Sequence, residues 1–93
     1  MELEFTLCYE DKVIKKDISK MSKTDQHRIK EALENKLKIN PCLYGTPLHY
    51  NLRALRKFKV GKYRVIFFIK DQDINIIYIG FRDKAYKNKK LYK

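Results

Sequence analysis

The sequence predicts an α+β domain in which a helical hairpin covers one face of a β-sheet, in the order β-α-α-β-β-β. Three patterns predict this class: alternation at the N-terminus, then apolar residues at helical spacing, then apolar runs separated by short turns. A chain of 93 residues can build one hydrophobic core at most, so residues 1–93 are expected to form a single domain.

The N-terminal strand is predicted over residues 3–8, where Leu3, Phe5 and Leu7 alternate with polar or small residues. Such alternation is typical of a strand with one buried face. No basic leader precedes it, so no export signal is expected.

The helical hairpin is predicted over residues 10–40. Three apolar residues in 10–21 recur at intervals of four and three: Ile14, Ile18 and Met21. Ser22 and Asp25 then fit a helix N-terminus, because a hydroxyl can accept an exposed N–H and an acid suits the positive helix end. The second helix carries one apolar stripe: Ile29, Ala32, Leu33 and Leu37. It should end near Asn40, since the residue before a proline disfavours helical geometry.

The rest of the chain is predicted to be a loop followed by an antiparallel meander. Residues 41–49 contain two prolines and a glycine and are expected to be a loop. Three strands are then predicted, joined by a turn at Gly61 and a second turn over residues 71–73: Arg56–Val60, Tyr63–Lys70 and Ile74–Gly80. The apolar runs VIFFI and INIIYI indicate central strands, covered by the hairpin on at least one face.

The charge of the chain is +11, with 22 Lys and Arg against 11 acids, and it is unevenly distributed. Residues 1–40 carry nine basic residues and eight acids, whereas residues 41–93 carry thirteen and three. A field this one-sided favours a polyanionic partner, most commonly nucleic acid, although a basic surface can also serve solubility alone. No apolar run approaches the ~18–20 residues of a membrane span, so no membrane partner is expected.

The two cysteines, Cys8 and Cys42, have no metal-ligand spacing and are expected to be thiols of a cytoplasmic protein, with one disulfide as the alternative. Acids are scarce where the cations gather, so Mg²⁺-dependent chemistry is not expected, and the sequence predicts no metal or cofactor. The remaining candidates for chemistry are cations and a tyrosine of the meander. If the strands pair around Gly61, four cations can converge on one side of the sheet, with Tyr86 four residues beyond the last: Lys57, Lys59, Arg64 and Arg82. Lys62 is expected to share the face of Arg64.

The stretch LRALRKFKVGKYRVIFFI, followed by IYIGFRDKAY, resembles the RelE/ParE superfamily of bacterial toxins. The superfamily pattern is a basic strand, a Gly turn, Tyr-Arg, an apolar strand, Gly-His-Arg and a later Tyr. The order of the upstream elements agrees, so the resemblance covers about the whole chain. It implies a type II toxin–antitoxin toxin that cleaves mRNA on the ribosome by attack of the RNA 2′-hydroxyl on the adjacent phosphorus, without a metal.

The resemblance also implies roles for five residues. Lys57 or Lys59 would act as base, since neighbouring cations favour a neutral lysine. Arg64 and Arg82 would stabilise charge on the phosphate. Tyr86 would orient the phosphate, stack on a base or relay a proton. Five further residues are expected to contact RNA: Arg53, Arg56, Lys62, Phe81 and Lys84.

Phe81 departs from the superfamily pattern, because many relatives have His at this position. It is expected to pack on the helices or to stack on a base. Two alternative functions stay open: a ParE-like toxin that inhibits DNA gyrase without nuclease activity, and a degenerate, non-toxic member that only binds its antitoxin. All three imply a cognate antitoxin as partner. The basic segment 87–93 is expected to be a flexible tail.

Overall fold

The predicted meander forms the centre of a mixed five-stranded sheet. The computed structural model describes residues 5–48 and 54–81. The sheet order is β1-β5-β4-β3-β2; β1 pairs with β5 in parallel and the other neighbours are antiparallel. The strands are β1 (Thr6–Tyr9), β2 (Thr46–Pro47), β3 (Arg56–Val60), β4 (Tyr63–Lys70) and β5 (Asp73–Phe81).

The predicted α+β class, with helices on one sheet face, is confirmed. The first helical segment is a π-helical stretch, Val13–Asp17, followed by a 3₁₀ turn, Ile18–Lys20. Helix α1 (Lys23–Ala32) follows and continues through a π-helical stretch, Leu33–Leu37. Among the described residues, no helix is long and apolar enough to cross a bilayer.

The start of α1 confirms the predicted cap. The Ser22 side chain accepts a hydrogen bond from the N–H of Asp25 at 3.1 Å. Gln26 ties the two helical segments together, since its Nε2 donates to the carbonyls of Ile18 and Met21 at 2.9 and 3.1 Å. The turn of the hairpin is therefore fixed by side-chain to backbone hydrogen bonds.

The buried face of the first helical segment differs from the prediction. Val13 is fully buried, whereas Ile14 is 51 % exposed. The cause is the π-helical winding, in which the N–H of Ile18 donates to the carbonyl of Val13, five residues back. Residues five apart then share a face, so Val13 and Ile18 face the core. The stripe of the second helix is confirmed, because Ile29, Leu33 and Leu37 are buried.

The prediction of a plain loop over 41–49 is wrong within the part described. A one-turn helix, α2 (Pro41–Tyr44), follows Asn40, whose side chain accepts from the N–H of Leu43 at 3.1 Å. A proline at the first helical position costs no hydrogen bond, so Pro41 starts a helix as well as ending one. Strand β2 then pairs with β3, and Pro47 is tolerated there because β2 is an edge strand.

Two apolar clusters lie on opposite faces of the sheet. The larger lies under the helices and includes Leu33, Leu37, Val65, Phe67 and Ile76. Burial of such side chains contributes about 1.5–3 kcal/mol each. We call the opposite side of the sheet the distal face. It carries the second cluster, which consists of Leu48, Leu55, Ile66 and Ile77 with half-buried Phe68 and Tyr78 packed against it.

Both hairpin turns have a residue at positive φ in their first position. Gly61 has φ +58° in the β3–β4 turn, as the sequence predicts, and glycine adopts this conformation at little cost. Asp71 has φ +57° in the β4–β5 turn, where a side chain is strained. The second turn is shorter than predicted, since Asp73 already belongs to β5.

Candidate functional site

The strand register places three of the predicted site residues side by side on the distal face. Lys59 stands opposite Arg64, and Arg64 stands opposite Gly80. Residues directly opposite in an antiparallel pair have Cβ atoms about 5 Å apart. Lys57 lies two residues before Lys59 and therefore on the same face, opposite Ile66. The predicted convergence of Lys57, Lys59 and Arg64 is therefore observed.

These three cations differ in exposure. Arg64 has no accessible surface, Lys57 is half-buried and Lys59 is exposed. The guanidinium of Arg64 is enclosed at the centre of the sheet, whereas the lysine opposite it reaches solvent. The three residues therefore gather positive charge on one face, and Lys59 is the most exposed of them.

A β-bulge determines which residues of β5 face Arg64. The register of β4 and β5 shifts between Ile66 and Phe67, which pair with Tyr78 and Ile76 and leave Ile77 without a partner. Ile77 and Tyr78 both join the distal cluster, and Ile79 returns to the helix side. The bulge therefore brings Tyr78 to the distal face, where strict alternation would place Ile79.

Tyr78 is a site residue that the sequence reasoning missed. A Cβ added at Gly80 would lie 2.3 Å from the Tyr78 hydroxyl oxygen, so the phenol crosses directly over that glycine. Because Gly80 stands opposite Arg64, the Tyr78 hydroxyl lies beside the cationic row. The small residue two positions after the tyrosine was the available signal.

Arg56, for which the sequence predicts a contact with RNA, donates hydrogen bonds to its own chain. Its Nη2 donates to the carbonyl oxygens of Cys42 at 3.3 Å and Gly45 at 2.9 Å. Arg56 alternates with Lys57 and so points to the helix side of the sheet. Its contacts fix the corner between α2 and β2.

Lys62 and Phe81 also lie away from Arg64. The Lys62 Nζ lies 3.9 Å from an Asp25 oxygen and 5.6 Å from the centre of the Phe81 ring. Phe81 is 43 % exposed and stacks on Tyr63, with ring centres 5.1 Å apart. The expectation that Lys62 shares the face of Arg64 is therefore wrong, because β4 begins at Tyr63 and Lys62 lies in the turn before it, where strand alternation does not apply. The ring of Phe81 contacts that of Tyr63, so both of its expected roles, packing on the helices and stacking on a base, stay predictions.

Hydrogen bonds accompany the raised pKa values of Tyr63 and Asp17. The Tyr63 hydroxyl donates to an Asp25 oxygen at 2.7 Å, and this hydrogen bond, with burial, raises the pKa of Tyr63. Burial raises the pKa of Asp17. The hydrogen bond that its carboxylate accepts from the Ile79 N–H, at 3.0 Å, acts in the opposite direction and lowers this pKa. Both groups lie on the helix side, away from the cationic row.

Several predicted site residues lie outside the described residues: Arg53, Arg82, Lys84 and Tyr86. Among the described residues, no three His, Cys, Asp or Glu side chains come together as a metal site, and Cys8 and Cys42 are free thiols.

A family model matches most of the chain, and solved structures match its fold. The model, described as the ParE toxin of the type II toxin–antitoxin system parDE, matches residues 11–86. The toxin–antitoxin complex RelBE2 from Mycobacterium tuberculosis contains a chain similar to this one, with a TM-score of 0.77 and 21 % identity over 85 % of this chain and 99 % of that one. An archaeal RelE–RelB complex from Pyrococcus horikoshii OT3 also contains a similar chain, with a TM-score of 0.69 and 21 % identity over 88 % of this chain and 99 % of that one. No curated protein matches the chain significantly.

Proposed function

The chain belongs to the ParE family of type II toxin–antitoxin toxins, within the RelE/ParE superfamily, and we propose that it is an endoribonuclease that cleaves mRNA on the ribosome. The observation that carries this proposal is the row Lys59–Arg64–Gly80, with Lys57 on the same face. A toxin that acted by surface contact alone would not need cations gathered at one point of a sheet.

The charges around this row favour a phosphate ligand. Asp73 is the acid on the distal face of the described strands, and it stands opposite Lys70 at the far end of β4. Lys70 lies six residues after Arg64 on this strand, so the acid is about 20 Å from Arg64. Near Arg64 the paired strands contribute lysines, a glycine and the Tyr78 phenol. A phosphodiester bound there would meet donors and no opposing carboxylate from these strands.

The proposed reaction is a transesterification. Lys57 or Lys59 accepts the proton of the RNA 2′-hydroxyl, whose oxygen attacks the adjacent phosphorus. The bond from phosphorus to the 5′ oxygen breaks, leaving a 2′,3′-cyclic phosphate, and the 5′ oxygen receives a proton to become a hydroxyl. Arg64 stabilises the charge that builds on the phosphate oxygens. Arg82 and Tyr86 retain their proposed roles as a second phosphate contact and as the group that orients the phosphate or relays the proton.

Primer extension on an mRNA bound to purified ribosomes tests this function. We expect Lys59→Ala to lower the cleavage rate about 10²-fold or more, the size typical of a lost charge-stabilising or proton-transferring group. Lys70→Ala, at the far end of the same face, is the matched control and should leave the rate unchanged. Arg64→Lys and Arg64→Ala extend the test, provided that circular dichroism shows them folded. Full cleavage by both Lys59→Ala and Arg64→Ala would exclude the proposed site.

Inhibition of DNA gyrase is the second candidate function. The burial of Arg64 favours it, since a guanidinium without accessible surface also fits a structural role. In a supercoiling assay, a gyrase toxin would inhibit at low concentration and Lys59→Ala would inhibit equally well. Supercoiling left intact by wild type, together with mRNA cleavage, would exclude this candidate.

A cognate antitoxin is the proposed protein partner, since the similar chain from Mycobacterium tuberculosis was solved in a toxin–antitoxin complex and the archaeal one in a RelE–RelB complex. An apolar groove of about 280 Å³ runs between the helical segments, with Ile14, Met21 and Leu33 in its lining. Half-exposed Ile14 at its rim would be covered by apolar side chains of the antitoxin. Co-purification with the product of the adjacent gene, lost in Ile14→Glu, tests this contact. Equal recovery of wild type and variant would place the antitoxin elsewhere.

A further inference from the structure

A cleft of about 510 Å³ opens where β3 meets the corner between α2 and β2. Strand β2 pairs with β3 only at Lys57 and Arg56, so the cleft begins where this pairing ends. Six residues line it, and they come from both sides of the sheet: Lys36, Tyr44, Thr46, Lys57, Phe58 and Lys59. The cleft therefore runs around the edge of the sheet from the distal face to the helix side.

The lining of this cleft carries three positive charges, and none of its described residues is an acid. Three lysines elsewhere in the described residues form ion pairs with carboxylates: Lys12, Lys38 and Lys62. Lys36 and Lys59 take part in none of the ion pairs found among the described residues. A cleft lined by three lysines, with no acid among its described residues, attracts a polyanion, and binding then releases counterions.

The cleft also offers an aromatic surface held in place by the fold. The Tyr44 ring meets Phe58 edge-on, with centroids 6.3 Å apart, and remains 41 % exposed. The hydrogen bonds of Arg56 to Cys42 and Gly45 hold the α2 turn that carries Tyr44. A fixed, half-exposed ring beside lysines is the arrangement that binds single-stranded nucleic acid, because the bases stack while the cations follow the backbone.

We propose that this cleft binds the single-stranded mRNA that flanks the cleavage site, with a base stacked on Tyr44 and backbone phosphate on Lys36. The inference rests on the proposed nuclease function, because Lys57 and Lys59 belong to both the cleft and the cationic row. An RNA strand bound at Arg64 can therefore continue over β3 without leaving a positive surface. An acidic peptide would suit the lysines equally well, but it would leave the Tyr44 ring unused.

Crosslinking on programmed ribosomes tests the path of the RNA. The mRNA carries a 2′-deoxy sugar at the cleavage position, which removes the attacking hydroxyl, and 4-thiouridine at single positions on either side. We expect a crosslink from one flank to the peptide that contains Tyr44, and its loss in Tyr44→Ala. Crosslinks from both flanks that avoid residues 36–46 would overturn the proposal.

Kinetics provide the second measurement. Tyr44→Ala combined with Lys36→Ala should raise KM for mRNA about tenfold with kcat unchanged, since stacking on one base alone carries an effect of that size. The increase should disappear on an mRNA truncated on the crosslinked flank. Leu43→Ala, on the same turn, and Lys23→Ala, at the start of α1, are the matched controls and should match wild type.

The outcomes separate this inference from the function on which it rests. If wild type cleaves no mRNA, both fail. If wild type cleaves and the double variant behaves like the controls, the cleft is not an RNA site and the nuclease function stands. If the double variant loses affinity for a glutamate-rich peptide but cleaves normally, the cleft binds an acidic protein segment and the proposal is wrong.

Discussion

The hydrogen bond between Tyr63 and Asp25 ties the central hairpin to α1, and its removal should have a measurable cost. Tyr63→Phe deletes the hydroxyl that donates to Asp25 at 2.7 Å and keeps the ring that stacks on Phe81. A hydrogen bond to a charged group contributes about 1.5–3 kcal/mol. The Asp25 carboxylate is 21 % exposed and Lys62 lies 3.9 Å away, so it keeps other partners and the lower end applies. We therefore expect Tyr63→Phe to lower the free energy of unfolding by about 1.5 kcal/mol.

Urea unfolding followed by circular dichroism measures this loss as a shift of the midpoint at constant slope. A double-mutant cycle with Asp25→Ala, which removes the acceptor, isolates the pair, because each single change also alters other contacts. The coupling should be about 1 kcal/mol or more. A Tyr63→Phe variant as stable as wild type, or a cycle without coupling, would refute the role given to this hydrogen bond.

The pH dependence supplies an independent test. The pKa of Tyr63 is raised in the folded protein, so above pH 10 the unfolded chain loses this proton before the folded protein does. The stability that Tyr63 contributes is therefore fully present below pH 10 and is lost as pH rises through the raised folded pKa. Tyr63→Phe should lack this component of the alkaline loss. Identical alkaline profiles would contradict the assignment.

Three further changes probe the fold, each measured by urea unfolding. Asp17→Ala should lower the free energy of unfolding by about 1–3 kcal/mol, because the Ile79 N–H loses its acceptor. Asp17→Asn keeps an acceptor and should be at least as stable as wild type at pH 7, and this difference in stability should close as Asp17 is protonated in acid. An alanine variant as stable as wild type would contradict this. Asp71→Gly should raise the free energy of unfolding by about 0.5–1 kcal/mol, because glycine adopts the positive φ of this position without strain. A less stable variant would contradict the strain assigned to Asp71. Gly45→Ala should lower the free energy of unfolding by about 1–3 kcal/mol, since the added Cβ would lie 2.3 Å from the Phe67 ring. An unchanged unfolding midpoint would show that the Phe67 ring can move aside and would contradict this prediction.

Local patterns in the sequence predict the helices, the meander and the face shared by the cations. The cap at Ser22 and the turn at Gly61 depend on neighbouring residues only, and both are confirmed. The pairing of Lys59 with Arg64 follows from a short turn between alternating strands, which fixes the register.

The remaining features depend on contacts between distant segments. The bulge at Ile77 depends on how β5 fits against β4 and the helical segments, and it places Tyr78 on the distal face, the face of Arg64. The contact between Lys62 and Asp25 joins residues that are distant in sequence and adjacent in the fold. Strand β2 is too short to give a pattern of its own and exists through its pairing with β3.

The parallel pairing of β1 with β5 has a consequence for how the protein is made. Thr6 pairs with Asp73, so the first strand synthesised has a partner sixty-seven positions later in the chain. At about 5–20 residues per second, β1 emerges roughly 3–13 s before the strand that it joins. The sheet cannot close until β5 has followed β1 out of the ribosome. For that interval the nascent chain carries β1 without the strand to which it hydrogen-bonds.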